Sequence, residues 1–230
     1  MRRAAFFDVD GTVVAGDIVR YGIEIRTMDR SRLGRLAWIL GFLPRVPWLM
    51  ALDAWRRAAF QRSFYRLYRG LPADELERRA TALFKAYIEP RIFPDAVQRI
   101  ERHRARGDRV VLITGSVETI VAPLAEHLKV SSVIAPRLAV DDGRLTGELE
   151  EPPIAGERKA EKMAAFAAEN GIDLGASIAY GDSADDLPML ELAGRAGVVN
   201  PRGRLLDQAM ARNWEILYWK AAGETNSDDQ

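Results

Sequence analysis

The chain has 230 residues, 48% of them hydrophobic, with no cysteine and with 33 basic side chains against 33 acidic ones. That length fits one large domain or a core carrying a smaller insert, and the apolar content is ample for a packed interior. A net charge of zero argues against a surface built for nucleic acid, and the lack of cysteine rules out disulfides, zinc–thiolate sites and a thiol nucleophile, a usage that suits a cytoplasmic enzyme.

Met1-Arg2-Arg3 has the charge of a signal-peptide start, but Asp8 and Asp10 interrupt the apolar segment after four residues, so no export signal is expected. The first strand is predicted over about residues 3 to 8 and runs into Asp8-Val9-Asp10-Gly11-Thr12. Residues two apart in a strand share a face, so Asp8 and Asp10 start on one side. Gly11 then lets the backbone turn or approach a ligand closely. Like charges 4 Å apart cost about 4 kcal/mol at an effective dielectric near 20. A hard cation such as Mg²⁺, held by oxygen ligands, would remove that repulsion and create a site for phosphate. The stretch alone reads equally well as an acidic turn after an edge strand.

From about Asp17 to Tyr87 the pattern is helical throughout, as in a small bundle inserted into another domain. Ser31 is placed to cap a helix carrying Leu33, Leu36, Ala37 and Leu40, which Pro44 and Pro47 end. A second helix carries Trp48, Leu52, Trp55 and Ala59 and extends towards Tyr68; a third opens at Leu71-Pro72-Ala73-Asp74, with Leu76, Leu83 and Tyr87 on one face. Residues 36 to 55 are mostly apolar and hold three tryptophans, but Arg45 in mid-stretch, Pro44, Pro47 and Asp53 argue against a spanning helix. A buried hairpin of two helices is the preferred reading; contact with a bilayer or an oily substrate is the alternative.

From Pro94 the texture alternates between helix and strand. A helix starts at Pro94 and stops at Gly107, Arg109 to Ile113 is an apolar strand, and Thr114-Gly115-Ser116 turns into a helix that Pro123 should kink or break. A strand at Ser132 to Ala135 and a hairpin at 137 to 149, turning at Asp142-Gly143, come next. Beyond a helix from about Arg158 to Asn170-Gly171 lie strands at Ala176 to Tyr180 and Gly197 to Asn200. A helix from Pro201 to Met210 and an edge segment at Ile216 to Trp219 close the fold, and the tail from Gly223 reads as disordered. The expected class is α/β: a Rossmann-like, three-layer parallel-sheet core with an inserted helical-bundle cap.

In such sheets ligands bind at the carboxyl ends of the strands. Asp8 and Asp10 end the first strand; Thr114 and Ser116 follow the second, where helix-start N–H groups suit an anion; Lys159 opens the helix after the hairpin; Asp182, Asp185 and Asp186 follow a buried strand. Each has a bland reading as a turn, a cap or a solvated lysine. All four at successive strand exits are harder to explain blandly.

The sequence resembles the haloacid dehalogenase-like phosphohydrolases across its core. Asp8-Val9-Asp10-Gly11-Thr12 is similar to their D-x-D-x-T motif, Thr114 and Lys159 to their second and third motifs, and Gly181-Asp182-Ser183-Ala184-Asp185-Asp186 to their acidic fourth. The helical insert resembles the subfamily capped after the first motif, which includes phosphoserine phosphatase. That resemblance implies a core of residues 1–15 and 89–230, a cap of 16–88, and hydrolysis of a small phosphorylated metabolite with Mg²⁺. It implies Asp8 as nucleophile forming an aspartyl-phosphate and Asp10 as general acid and base. Metal ligands would come from Asp8, the Asp10 carbonyl and Asp182, with Asp186 orienting metal-bound water. Thr114, the backbone at Gly115 and Lys159 would bind the phosphoryl oxygens.

Substrate choice would lie with the cap, where Asp17, Arg20 and Arg56 are candidates. Asp17 stands where the phosphoserine enzymes carry Glu, and Asp185 where they usually carry Asn. A phosphotransferase or mutase on the same core, a phosphatase acting on a lipid-like phosphate at a membrane surface, and a signalling module phosphorylated on Asp are the rivals.

Overall fold

The computed structural model describes residues 2–55 and 57–221. Arg56 and the tail from Gly223 lie outside the described residues. The strands are β1 (Ala4–Phe7), β2 (Arg109–Ile113), β3 (Ser132–Ile134), β4 (Leu138–Asp141), β5 (Arg144–Leu149), β6 (Ile178–Gly181), β7 (Arg195–Val199) and β8 (Glu215–Leu217). Six of them form one sheet in the order β3-β2-β1-β6-β7-β8, with every neighbouring pair parallel. The α/β class with a Rossmann-like parallel sheet is therefore the fold observed.

The alternation of side chains explains why this sheet is covered on both sides. Ala5, Phe7, Leu112 and Tyr180 enter one apolar cluster, while Ala4, Phe6, Val111, Ile113 and Ala179 enter the other. Phe6 and Phe7 are fully buried on opposite faces, each contributing roughly 1.5–3 kcal/mol by burial.

The helices are α1 (Ile18–Thr27), α2 (Arg32–Phe42), α3 (Val46–Trp55), α4 (Arg57–Tyr65), α5 (Ala73–Leu83), α6 (Pro94–Ala105), α7 (Glu118–His127), α8 (Glu157–Asn170), α9 (Leu187–Leu192) and α10 (Gly203–Ala211). Helices α1 to α5 form the inserted bundle, and its inner residues Tyr21, Ile25, Phe64, Tyr65 and Tyr68 belong to the same cluster as one face of the sheet.

Three details differ from the sequence reading. Helix α7 runs unbroken through Pro123. The one backbone bond that Pro123 forgoes, to the Thr119 carbonyl, is set against the burial of Ile120, Val121 and Leu124. The hairpin β4–β5, grouped with the core by sequence, bonds to the cap: Gly70 N–H donates to Leu145 O (2.8 Å), Leu145 N–H to Leu71 O (2.9 Å) and Ala73 N–H to Gly143 O (3.0 Å).

The third difference concerns the expected buried hairpin of cap helices, which is wrong for its outer face. Ser31 caps α2 as expected, accepting from Gly34 N–H (3.2 Å). Yet Leu33, Leu36, Ala37 and Leu40 point to solvent, and Phe42 is the residue of α2 that is buried. Helical spacing marks an apolar face without saying what covers it.

Candidate functional site

Register brings the chemistry together. Phe7 of β1 pairs with Leu112 of β2 on one side and with Tyr180 of β6 on the other. These parallel strands end at the same edge, so Asp8, Thr114 and Asp182 emerge side by side although more than a hundred residues of sequence separate the first two. The chain builds β2 and β3 on one side of β1 and returns to place β6 and β7 on the other, the kind of switch point where such sheets hold ligands. A crevice of about 180 Å³ lies there, walled by Asp8, Asp10, Gly115, Ser116, Lys159 and Asp182 from the core and by Asp17 and Gln61 from the cap.

Lys159, in the first turn of α8, is the centre of the charge network. Its Nζ donates to Asp8 Oδ1 and to Asp186 Oδ1, both at 2.6 Å, and all three side chains are buried. Burial pushes the ammonium pKa down, but Asp186 and Asp8 outweigh it and hold the pKa far above the ordinary lysine value. Asp186 is lowered: burial opposes its ionisation, but the Lys159 charge and hydrogen bond and the donors of Ser183 win. Its Oδ2 accepts from the N–H groups of Asp182 (3.2 Å) and Ser183 (3.1 Å) and from Ser183 Oγ (3.1 Å). The bland reading of Asp186 as a cap is thus also true: it closes a capping box with Ser183.

Asp8 is raised well above the usual carboxylate range. Burial is the main cause, and Lys159 offsets part of it while Asp186, Asp182 and Asp10 add negative charge. The site is short of positive charge. One carboxylate oxygen from each of Asp8, Asp182 and Asp186 falls within 4.8 Å of the others, so the group has the spacing of a cation site. With both Asp186 oxygens committed to hydrogen bonds, Asp8 and Asp182 are the side chains better placed as ligands. Gly11 makes room for this: it has φ +92°, and a Cβ there would sit 2.2 Å from Asp182 Oδ2. The donor set, all oxygen and acidic, suits a hard divalent ion such as Mg²⁺.

Asp10 is built differently. Its Oδ2 accepts from Ser116 Oγ (2.6 Å) and Thr114 Oγ1 (3.2 Å), whereas Oδ1 is buried with no hydrogen bond. Burial raises its pKa, against the opposing pull of the Ser116, Tyr21 and Thr114 hydroxyls. A carboxyl held up in pKa beside an ionised network is suited to deliver a proton.

Thr114 is fully buried, accepts from Ser116 N–H (2.9 Å) and donates to Asp10, so its hydroxyl is spent on positioning and does not wall the crevice. Gly115 and Ser116 do. Asp17 walls the crevice and also caps α1 through Arg20 N–H (2.9 Å). Arg20 turns elsewhere, to Glu24 (3.1 Å) and over the Tyr87 ring (5.5 Å).

Sequence reasoning missed the cap's own contributors. Gln61 of α4 is 3% exposed, its Oε1 has no partner, and its Nε2 lies where a Cβ on Gly115 would be, 2.1 Å away. Gly115 is therefore required by the approach of a cap side chain. The Tyr65 hydroxyl donates to the Gly115 carbonyl, and the buried Tyr21 hydroxyl lies beside Asp10. The only signal in the sequence was their place on the inner face of the insert.

Comparison with known proteins agrees with this geometry. Residues 5–191 match the family model described as haloacid dehalogenase-like hydrolase. The chain is 33% identical over 226 residues to the inhibition of morphological differentiation protein of Streptomyces azureus, covering 94% of this chain and 78% of that one. It is 30% identical over 223 residues to phosphoserine phosphatase SerB1 of Mycobacterium tuberculosis, covering 95% and 71%. A crystal structure of a protein of unknown function from Bordetella pertussis Tohama I superposes with a TM-score of 0.82 at 27% identity, covering 94% and 98%.

Proposed function

Because the chain belongs to the haloacid dehalogenase-like hydrolases, we propose that it is a Mg²⁺-dependent phosphatase that hydrolyses the phosphate monoester of a small metabolite through an aspartyl-phosphate on Asp8. The observation that carries this reading is the single crevice in which Asp8, Asp10, Lys159 and Asp182 converge. Asp8, the Asp10 carbonyl and Asp182 would hold the metal, which when bound supplies positive charge to the phosphoryl oxygens and keeps Asp8 ionised.

An Asp8 carboxylate oxygen attacks phosphorus, and the bond to the ester oxygen breaks as Asp10 gives that oxygen its proton. Asp10, now a carboxylate, takes a proton from water, whose oxygen attacks the aspartyl-phosphate. Inorganic phosphate leaves, and Asp8 and the Asp10 acid are restored. Ser116 and Thr114 hold Asp10 by one oxygen, which leaves Oδ1 for the proton. Lys159 stays protonated throughout and neutralises both Asp8 and the transferring group. The cap residues Gln61 and Asp17 close the other side and read the alcohol portion of the ester, in a crevice small enough to favour a compact substrate. The lack of cysteine fits work in the cytoplasm.

A panel of phosphate esters assayed with Mg²⁺, with EDTA and with Asp8→Asn tests this. Release of inorganic phosphate without added acceptor is expected, abolished by EDTA and lowered ~10⁴-fold or more by the substitution. Hydrolysis that survives both would overturn the mechanism; turnover only with an added acceptor alcohol would make the chain a phosphotransferase.

A further inference from the structure

The outer face of the cap is the feature that hydrolysis leaves unused. Leu33 is 80% exposed, and Leu36, Leu40, Leu43 and Trp48 are each at least half exposed, all on α2, on α3 or on the turn that joins them. Beside them a groove of about 560 Å³ is lined by Trp38, Phe42, Trp48 and Leu49 together with Arg45 and Arg66. Isolated exposed apolar residues are ordinary, but a contiguous set along one hairpin marks a surface that is covered in use.

Charge identifies the cover. Residues 30 to 72 hold nine arginines against one acid, Asp53, in a chain whose net charge is zero. Among the described residues Arg30 and Arg45 hydrogen-bond backbone carbonyls four residues back in their own chain, and the acids that meet Arg35, Arg66 and Arg69 come from outside the segment. A second copy of the same face would set arginines against arginines, which disfavours self-association. Leucine and tryptophan flanked by arginine are the composition of an element that lies in a lipid interface, its apolar side chains in the acyl boundary and its guanidinium groups on lipid phosphates. Among the described residues no helix is long and apolar enough to cross a membrane, so the contact is peripheral.

We propose that the α2–α3 face docks the protein on an anionic lipid bilayer. The docking does not depend on the phosphatase reading, because vesicle binding and ester hydrolysis are read separately. Cosedimentation of the full chain with phosphatidylcholine vesicles, with and without phosphatidylglycerol, tests it. Binding is expected to the phosphatidylglycerol vesicles and to weaken with added salt. The triple variant Leu33→Ser, Leu36→Ser, Leu40→Ser should partition at least about tenfold less, with its circular dichroism and its hydrolysis of a soluble ester unchanged. Arg30→Gln with Arg32→Gln and Arg45→Gln should remove the preference for the anionic lipid. Three results would overturn the proposal: wild-type protein left in the supernatant with phosphatidylglycerol vesicles, equal binding by the serine variant, or a dimer in analytical ultracentrifugation that the serine variant dissociates.

Discussion

The two walls of the crevice are made on opposite principles. On the core wall Lys159 joins Asp8 to Asp186, and Asp186 in turn gathers three further donors, so the charged groups hold one another before any ligand arrives. On the cap wall the Gln61 Oε1 is buried without a hydrogen bond. An unsatisfied buried polar atom is costly, at about 1–3 kcal/mol, and such atoms persist where something else completes them. In the function proposed above, the contrast separates generic chemistry, fixed in the core, from recognition, assigned to the cap.

The largest expected effect comes from breaking the core wall. Lys159→Met keeps length and removes charge, leaving Asp8 and Asp186 facing each other without a cation. Activity should fall ~10³-fold or more, mostly in kcat. Stability of the metal-free protein should drop by about 3–5 kcal/mol, read as a lower melting temperature. A variant that keeps activity within about tenfold of wild type would show that the core wall is not preorganised in the way described.

A smaller and differently shaped effect is expected on the other side. Gln61→Ala removes one hydrogen-bonding group from the cap wall, so kcat/KM for the best substrate should fall about 5- to 10-fold, carried mainly by KM. Because Oε1 is unpartnered, melting should hardly change. If Gln61→Ala lowers kcat on a simple aryl phosphate as severely as it does on the best substrate, the division between the walls fails.

The sequence made the core wall readable and left the cap wall hidden, for a physical reason. Asp8 and Asp10 stand at the end of a strand whose apolar run, Ala4 to Phe7, is unmistakable, and strand ends in a parallel sheet lie on one edge by geometry. Nothing comparable constrains Gln61. Its meeting with Gly115 depends on how α4 crosses the core, a tertiary contact that no local pattern encodes. The same limit explains Leu33, Leu36 and Leu40: periodicity showed a stripe, but solvent, not protein, lies against it. Thr114 shows a finer failure. Its position was legible, yet its hydroxyl serves Asp10 and not the crevice, because a donor so near Asp10 Oδ2 is already spoken for.

The gentlest test concerns what lies behind the core wall. His103 is buried on α6 with Nδ1 2.9 Å from Asp108 Oδ2 and Nε2 2.8 Å from the Tyr180 hydroxyl, and Tyr180 stacks on Phe7 at 4.4 Å. Burial pushes the Tyr180 pKa up to about 12, so its hydroxyl stays protonated and donates to Nε2, while Nδ1–H donates to Asp108. Burial also lowers the His103 pKa, and Asp108 opposes that only in part. Below the unfolded histidine value near ~6.5 the unfolded chain takes up a proton that the native protein still refuses. Stability should therefore be fully present above that pH and decline as pH falls from it towards the lower native value. His103→Gln should cost about 1–3 kcal/mol at pH 8 by leaving Asp108 or Tyr180 without a full partner, and should flatten the part of the melting-temperature slope that His103 causes. A slope identical in the two proteins would mean that His103, behind β1 and β6, titrates alike in the folded and unfolded chain.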